Sequence, residues 1–455
     1  MRLLLIFQHF FPETGATQNR GMSLAEFFTE RGHDVHVIAA KPNHPEGVIW
    51  LEYRGSLFTK RKVRGFSVTY TWIFTRPAKS VGNRTVSYLS FMVMAILAGI
   101  GLHRRFDVVL ASSPPPFLGV SGWILARLTG ARLVFDVRDL WPGLAVALGE
   151  LKNPGAIWLA ERLERFLYKR ADAITAVTRP FCEEISKVVG AHKPVRLVMN
   201  GTTPEFLSSD GSRQVTRRSR GWEGRFVVMY AGNIGVCQGL SHILRAARLL
   251  EARAPDVLFQ IVGNGPRKAQ LACEFRGLGL SNLELLDRVP LLDAIALMAG
   301  ADALLVPLAA NEKCEQFIPS KLFDSMAIGR PVLLSVGGEA KRILEEADAG
   351  VYYAAEDPQA LADAIVCLRD DRGLAAKLGV NGRQYVGRCG LRSQQIEALD
   401  TLLRTPANLD AVANNVQICE PSSKAILTNT QDNQPVPIKV LESKSGQTKA
   451  ARNGA

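Results

Sequence analysis

The strongest constraint on what this chain can fold into is an alternation of short β-branched runs with helical patterns, carried through twice. Residues 3–7 read as a strand, 21–31 as a helix and 34–39 as a second strand; 108–111, 133–135, 173–176 and 195–199 continue the series. Strands that alternate with helices pair in parallel and are covered on both faces, which is why they read as unbroken apolar runs. At 202–225 the rhythm lapses into a stretch rich in Ser, Gly and Arg, read as a linker and domain boundary. It then resumes: strands at 225–232, 257–263, 283–287, 301–308, 331–336 and 350–353, with helices at 240–252, 266–278, 291–299 and 320–328. The expected fold class is α/β, with two doubly wound Rossmann-like units facing a central cleft. One unit covers 1–203, 204–225 links it to the second at 226–390, and a terminal helix follows at 391–405. The tail at 406–455, rich in Asn, Gln, Ser, Thr and Pro, is expected to be disordered because it cannot bury enough apolar area to offset chain entropy.

With 455 residues the chain has length for such units, each with its own core. Its cysteines are scattered without CxxC or Cys/His spacing, which reads as reduced thiols and no metal centre. The opening apolar run is only strand length and meets Pro12 and Gly15, so it is read as a strand and not a signal peptide; a cytoplasmic protein is expected. The net charge of +12 admits nucleic acid, phosphate-rich ligands or an anionic membrane, so its location decides. It concentrates in 51–105, where Arg54, Lys60, Arg61, Lys62, Arg64, Arg76, Lys79, Arg84, Arg104 and Arg105 face a single acid, Glu52, and interleave with aromatics. Beside them, 85–102 is uncharged. Spanning a bilayer would put strands of one sheet on opposite sides of it, which leaves a core helix or one dipping into a single leaflet. The segment is therefore expected to associate with lipid headgroups at the inner membrane face and not with nucleic acid; solvated loop charges are the plainer reading.

Four stretches carry chemistry. FPETGATQNRG at 11–21 joins strand to helix through Gly15, either as an anion site or as a simple turn. VGNGPRKAQL at 262–271 places Gly263, Asn264 and Gly265 between strand and helix, without the third glycine of a dinucleotide fingerprint. QFIPSKLFDSMAIGRPVLLS at 316–335 starts a helix at Ser320, with Lys321 and Asp324 in its first turns suited to diphosphate charge and ribose hydroxyls. In FDVRDLWP, Asp136, Arg138 and Asp139 follow a strand, where open α/β sheets place their sites; Asp139 either serves the chemistry or braces Arg138.

Taken in order, the FPE-TG loop, RGHDVHVIA, SSPPP, FDVRDLWP, YAGNIG-QGL, VGNGP and PSKLFD-MAIGRPVL resemble the GT-B glycosyltransferases of family GT4, in particular bacterial enzymes of O-antigen, capsule and colanic acid assembly. The resemblance covers about residues 1–400. It implies a retaining transferase with no metal or other cofactor, moving a sugar from a nucleotide sugar, UDP-linked in expectation, to a polyprenyl-diphosphate-linked saccharide. By position it implies Gly15, Asn233, Gln238, Gly263, Asn264, Gly265, Ser320 and Asp324 around the donor, with Asp139, Arg138 and Lys321 at the chemistry. The family's pair of glutamates falls here on Gln316 and Asp324, so Glu312 or Glu315 would have to replace the first acid; Asn233 and Gln238 stand where Arg and Lys are common. A UDP-N-acetylglucosamine epimerase of the same fold and a silent nucleotide-sugar-binding scaffold are the alternatives.

Overall fold

A computed structural model describes residues 1–404 apart from 45, 78–79, 148, 150, 191–192, 209–211 and 311–314. The tail from 406 onward and Glu312 lie outside the described residues. The first half is an eight-stranded sheet: β1 (Arg2–Phe7), β2 (Asp34–Ala40), β3 (Phe58–Val63), β4 (Phe66–Thr71), β5 (Val108–Ser113), β6 (Arg132–Val137), β7 (Ala173–Ala176) and β8 (Val195–Leu197). They run in the order β3-β4-β2-β1-β5-β6-β7-β8, parallel except for β3. The second half is a parallel six-stranded sheet of β9 (Phe226–Ala231), β10 (Val257–Val262), β11 (Leu283–Leu286), β12 (Ala303–Val306), β13 (Val332–Leu334) and β14 (Gly350–Tyr352), ordered β11-β10-β9-β12-β13-β14. Chain order reverses at β1/β5 and at β9/β12. Such reversals open crevices outside the carboxyl ends of the strands. The loops after β1 and β9 lead out of these two points, and both carry residues singled out from the sequence.

The segment 51–105 contains more regular structure than its charge suggested. Phe58–Val63 and Phe66–Thr71 form a hairpin that closes one edge of the sheet, an edge blunted by the exposed Lys60, Arg61 and Lys62. Several of its cations are engaged within the protein. Arg64 pairs with Glu26, Arg104 with Asp34, and Arg61 lies over the Tyr53 ring. The helix Val81–Gly101, started by the Ser80 hydroxyl accepting from the Asn83 amide, lies on the sheet with Phe91, Met94, Ala95 and Ala98 inward. It turns Val86, Leu89, Val93, Leu97 and Ile100 outward, each at least 39% exposed. It is long and apolar enough to cross a membrane, yet β4 before it and β5 after it belong to one sheet, which rules out a crossing.

From Arg213 to Arg225, the stretch read as a linker is folded onto the second half. Arg213 and Arg217 from Ser212–Ser219 both clasp Asp302, which also accepts from the Val227 amide, and Trp222 is buried beneath β9 and β10. The last described helix, Arg392–Arg404, returns to the first half, where Ile396, Leu399, Leu402 and Leu403 pack with Leu24, Phe28 and Val35. The chain therefore crosses between halves at two adjacent points, tied where Thr202 accepts from the Arg392 amide (2.8 Å) and donates to the Gly390 carbonyl (2.9 Å).

One buried ion pair anchors the first half. Arg20, 1% exposed, donates to both oxygens of Asp136 (2.8 and 3.2 Å), whose remaining capacity takes the hydroxyls of Ser112 (2.9 Å) and Thr175 (2.8 Å) from the flanking strands. Burial works against the Asp136 charge, but Arg20 and the hydroxyls hold its carboxyl below the ordinary carboxylate range. Removing one partner strands the other in an apolar core. Asp136→Ala is expected to cost about 3–5 kcal/mol in urea denaturation, and the double variant Arg20→Met/Asp136→Leu distinctly less.

Candidate active site

The loop after β1 owes its shape to Glu13. Its side chain is buried, and its Oε1 accepts from the amides of Asn43 (2.6 Å) and His44 (2.7 Å) in the loop after β2. Its Oε2 takes His9 Nδ1 (2.9 Å) and Gln18 Nε2 (3.3 Å). Burial raises its pKa, but His9 and the two amides outweigh that and hold it low. Gly15 is the cap of the following helix, with Gln18 Oε1 only 2.6 Å from where a Cβ would be. Thr14, beside it, receives a 3.4 Å contact from Arg288 of the other half.

Across the cleft the two glycine loops support one another. Gly232 donates to the Val262 carbonyl (2.9 Å) and Ile234 to that of Asn264 (2.9 Å). A Cβ on Gly263, at φ +154°, would lie 1.8 Å from the Gly232 carbonyl, so only glycine permits the approach. The Gln238 amide oxygen is spent on the Gly235 N–H (3.0 Å), shaping the turn, while Asn233 is exposed beside it. Asn264 is exposed and accepts from the Gly265 amide (2.8 Å). Over these loops stands the helix Ser320–Ile328. Lys321 reaches from its first turn to within 5.3 Å of the Tyr230 ring centre, so close to Gly232 that a Cβ there would meet its Cε at 2.1 Å. Burial lowers the Lys321 pKa against the pull of Asp324. The C-terminal unit thus brings Gly232, Asn233, Gly263, Gly265, Ser320 and Lys321 to one strand end.

Asp324 stands apart from them, one turn deeper. Its Oδ1 accepts from Thr202 Oγ1 at 2.5 Å, at the crossing between halves. Burial pushes its carboxyl up to about 6, with the Thr202 bond, Arg392 and Lys321 opposing. Glu315 packs against Gly337 and Gly338, away from the glycine loops.

On the first half, Asp136 is absorbed by Arg20, whereas Arg138 and Asp139 project beyond the strand end. Arg138 Nε and Nη1 are buried with no hydrogen-bond partner among the described residues, and burial together with the Arg20 charge lowers its pKa. Burial raises Asp139, with Arg138 opposing. The charged groups that order this cleft, Glu13 and Arg20, were not assigned a role from the sequence. Arg20 had a signal: it shares one stripe with Leu24 and Phe28 at intervals of four.

Two family models match the chain, a glycosyl transferase 4-like domain over residues 15–201 and glycosyl transferases group 1 over 212–385. The colanic acid biosynthesis glycosyl transferase WcaI of Escherichia coli (strain K12) is 27% identical over 339 residues, covering 72% of this chain and 82% of its own. The glycosyltransferase WbjE of Pseudomonas aeruginosa is 27% identical over 292 residues, covering 62% and 72%. Among solved structures, Anabaena HepE in complex with UDP superposes with TM-score 0.67 at 16% identity, over 89% of this chain and 99% of that one. Two Rossmann-like halves with their strand ends turned to a shared cleft define the GT-B fold. The chain belongs to the GT4-like, group 1 glycosyltransferases.

Asp324 makes a testable point about pH. A carboxyl near 6 in the fold against 3.8 ordinarily binds its proton more tightly when folded. Stability is therefore lost as pH rises from about 4 to about 6 and levels off above that. Asp324→Asn, which keeps the Thr202 bond without the charge, is expected to remove that part of the slope; urea midpoints from pH 4 to 7 for both proteins check it.

Proposed function

We propose that this glycosyltransferase moves a sugar, with retention at the anomeric carbon and without a metal, from a UDP-sugar to a polyprenyl-diphosphate-linked saccharide in surface polysaccharide assembly, working at the inner face of the cytoplasmic membrane. The observation that carries the donor half is Lys321, a desolvated ammonium on the first turn of a helix that points at glycine loops built for close backbone approach. A diphosphate there meets the helix amides, the Lys321 charge and the loop N–H groups together. As the bond from the anomeric carbon to phosphate breaks, the leaving diphosphate gains charge against dipoles already oriented, which is where such sites contribute most. The acceptor hydroxyl forms the new bond to that carbon. Its proton passes to the leaving phosphate oxygen or to Asp139, whose carboxyl is raised by burial; otherwise Asp139 aligns the donor sugar. The unpartnered Arg138 donors offer the cleft a second anion contact. The names of WcaI and of the UDP complex of HepE support a polysaccharide context and a UDP donor.

The membrane half rests on the outward stripe Val86, Leu89, Val93, Leu97 and Ile100, flanked by the exposed Arg104 and Arg105. Seating these half-exposed side chains in one leaflet is worth on the order of 5 kcal/mol, with about 1 kcal/mol from each cation near anionic headgroups. The helix then lies along the interface as part of a peripheral protein.

Purified protein with UDP-sugars and membrane extract is expected to release UDP only when lipid-linked saccharide is present. Lys321→Ala is expected to lower that rate about 10²–10³-fold. Interconversion of free UDP-sugar with no acceptor would favour the epimerase, and UDP binding without turnover the silent scaffold. For the membrane, Val93→Asp/Leu97→Asp is expected to abolish flotation with phosphatidylglycerol vesicles while UDP binding persists; undiminished flotation would remove the helix from the interface.

A further inference from the structure

A cavity of about 590 Å³ lies beside the loop that carries Gly15, walled by Pro12 and Thr14 after β1, by residues 44, 46, 48–51 and 54 after β2, and by Arg288 after β11. We propose that it is the acceptor's head-group subsite and that it holds the diphosphate of an isoprenoid-type lipid carrier between Arg54 and Arg288. This deepens the transferase reading and rests on it.

The first argument is charge. Arg54 and Arg288 come from opposite halves and are both exposed. Arg54 Nε donates to the Ile49 carbonyl (2.8 Å) and Arg288 Nη2 to Thr14 Oγ1 (3.4 Å), and neither meets a carboxylate among the described residues. The planar forks keep donors free for phosphate oxygens, and a guanidinium suits such oxygens geometrically. Glu46 is the acid on the same wall, so the wall stays net positive.

The second is the apolar surface continuous with those cations. Val48, Ile49, Trp50 and Leu51 share the wall, and Leu51 is 79% exposed. Along the same edge follow Leu57 (59% exposed), Phe58 and Trp72, with the Trp72 amide bound to the Leu57 carbonyl at 2.8 Å. Two residues on, the Phe74 amide donates to Ser90 Oγ (2.9 Å) of the Val81–Gly101 helix. Exposed apolar groups thus lead from the cavity rim to the helix assigned above to the bilayer. A soluble sugar phosphate would use the cations and leave this path idle; a lipid diphosphate uses both.

The third is that the wall is prebuilt. Glu13 pins Asn43 and His44 at one end. At the other, the buried Tyr53 ring packs edge-on to Tyr70 (5.0 Å), whose hydroxyl donates to the Phe11 carbonyl (2.6 Å). A ligand arriving there pays little to order the segment.

Calorimetry on the full chain with farnesyl diphosphate, inorganic diphosphate and UDP as separate probes tests this. Wild type is expected to bind farnesyl diphosphate, and Arg54→Ala/Arg288→Ala to weaken it by about tenfold or more with UDP affinity unchanged, which also certifies the fold. Leu51→Asp is expected to weaken farnesyl diphosphate but not inorganic diphosphate, separating a lipid head group from free anion. Failure of wild type to bind farnesyl diphosphate, or undiminished binding by the double variant, would overturn the proposal. Farnesyl diphosphate binding lost with Arg54→Ala/Arg288→Ala, in a wild-type protein that does not bind UDP, would uphold the pocket and sink the donor reading instead.

Discussion

Much of this molecule hangs from the Arg20–Asp136 pair. A carboxylate in the middle of a parallel sheet is costly, and it persists only because each of its acceptor sites is filled. Ser112 and Thr175 reach it from β5 and β7, and Arg20 from the helix Ala16–Glu30. The same guanidinium also donates to the Met199 carbonyl (3.3 Å) and to Asn200 Oδ1 (3.4 Å), at the point where the chain leaves the first half. Arg392 continues the linkage, donating to the Asn200 carbonyl (2.9 Å) and to Ser23 Oγ (3.2 Å). What the pair supplies is register more than net stability. It fixes the loop after β1, the end of β6 and the crossing to the second half against one another.

The cleft that results has an electrostatic logic. Burial lowers the pKa of both Lys321 and Arg138, and Arg138 Nε and Nη1 have no hydrogen-bond partner among the described residues. An anionic ligand relieves that strain, because it supplies the counter-charge that water no longer does. At the proposed donor site, desolvated cations would in this way favour a diphosphate over a neutral sugar. Asp324 follows the opposite course: burial moves it toward the neutral form, and Thr202 ties it to the interdomain crossing. Through that bond it ties the helix that carries Lys321 to the crossing between halves, since Lys321 and Asp324 both sit on Ser320–Ile328.

The strand and helix rhythm was legible because strands buried on both faces are mostly apolar, as 133–135 and 257–259 are, with the buried Asp136 and Gln260 as exceptions. The hairpin of β3 and β4 was hidden because an exposed edge strand carries lysine and arginine where a core strand carries valine; the cations that suggested lipid also protect the edge. Residues 202–225 look structureless by composition, yet Arg213, Arg217 and Trp222 fix the part from 213 to 222 through partners as far along the chain as Asp302. The glycine loops were visible as motifs, but that Gly263 must accommodate the Gly232 carbonyl is a fact of three dimensions. Glu13 and Arg20 were missed for the same reason, since a buried charge is recognised by its partners, and Asp136 lies far from Arg20 in sequence, as the Asn43 and His44 amides do from Glu13.

The orientation of the Val81–Gly101 helix links the two ends of the proposed chemistry. It runs antiparallel to β4 and β5, as a crossover between parallel strands of a sheet must, so its first turn lies at the cleft end of the sheet and its last at the far end. At about 1.5 Å per residue its length is roughly 30 Å. A bilayer lying against its outer stripe would then extend alongside the cleft and leave it open at one edge. A lipid-linked acceptor would enter laterally, head group first, past Trp72 and Leu57, while the nucleotide sugar arrives from the aqueous side over Gly232 and Gly263. The stripe by itself would give only modest attachment, because a few half-exposed aliphatic groups match about one short acyl chain and such binding is reversible. That would suit the proposed transfer to successive lipid-linked acceptors: the helix would keep the cleft near the membrane, and a bound acceptor would add the second anchor for the duration of the transfer.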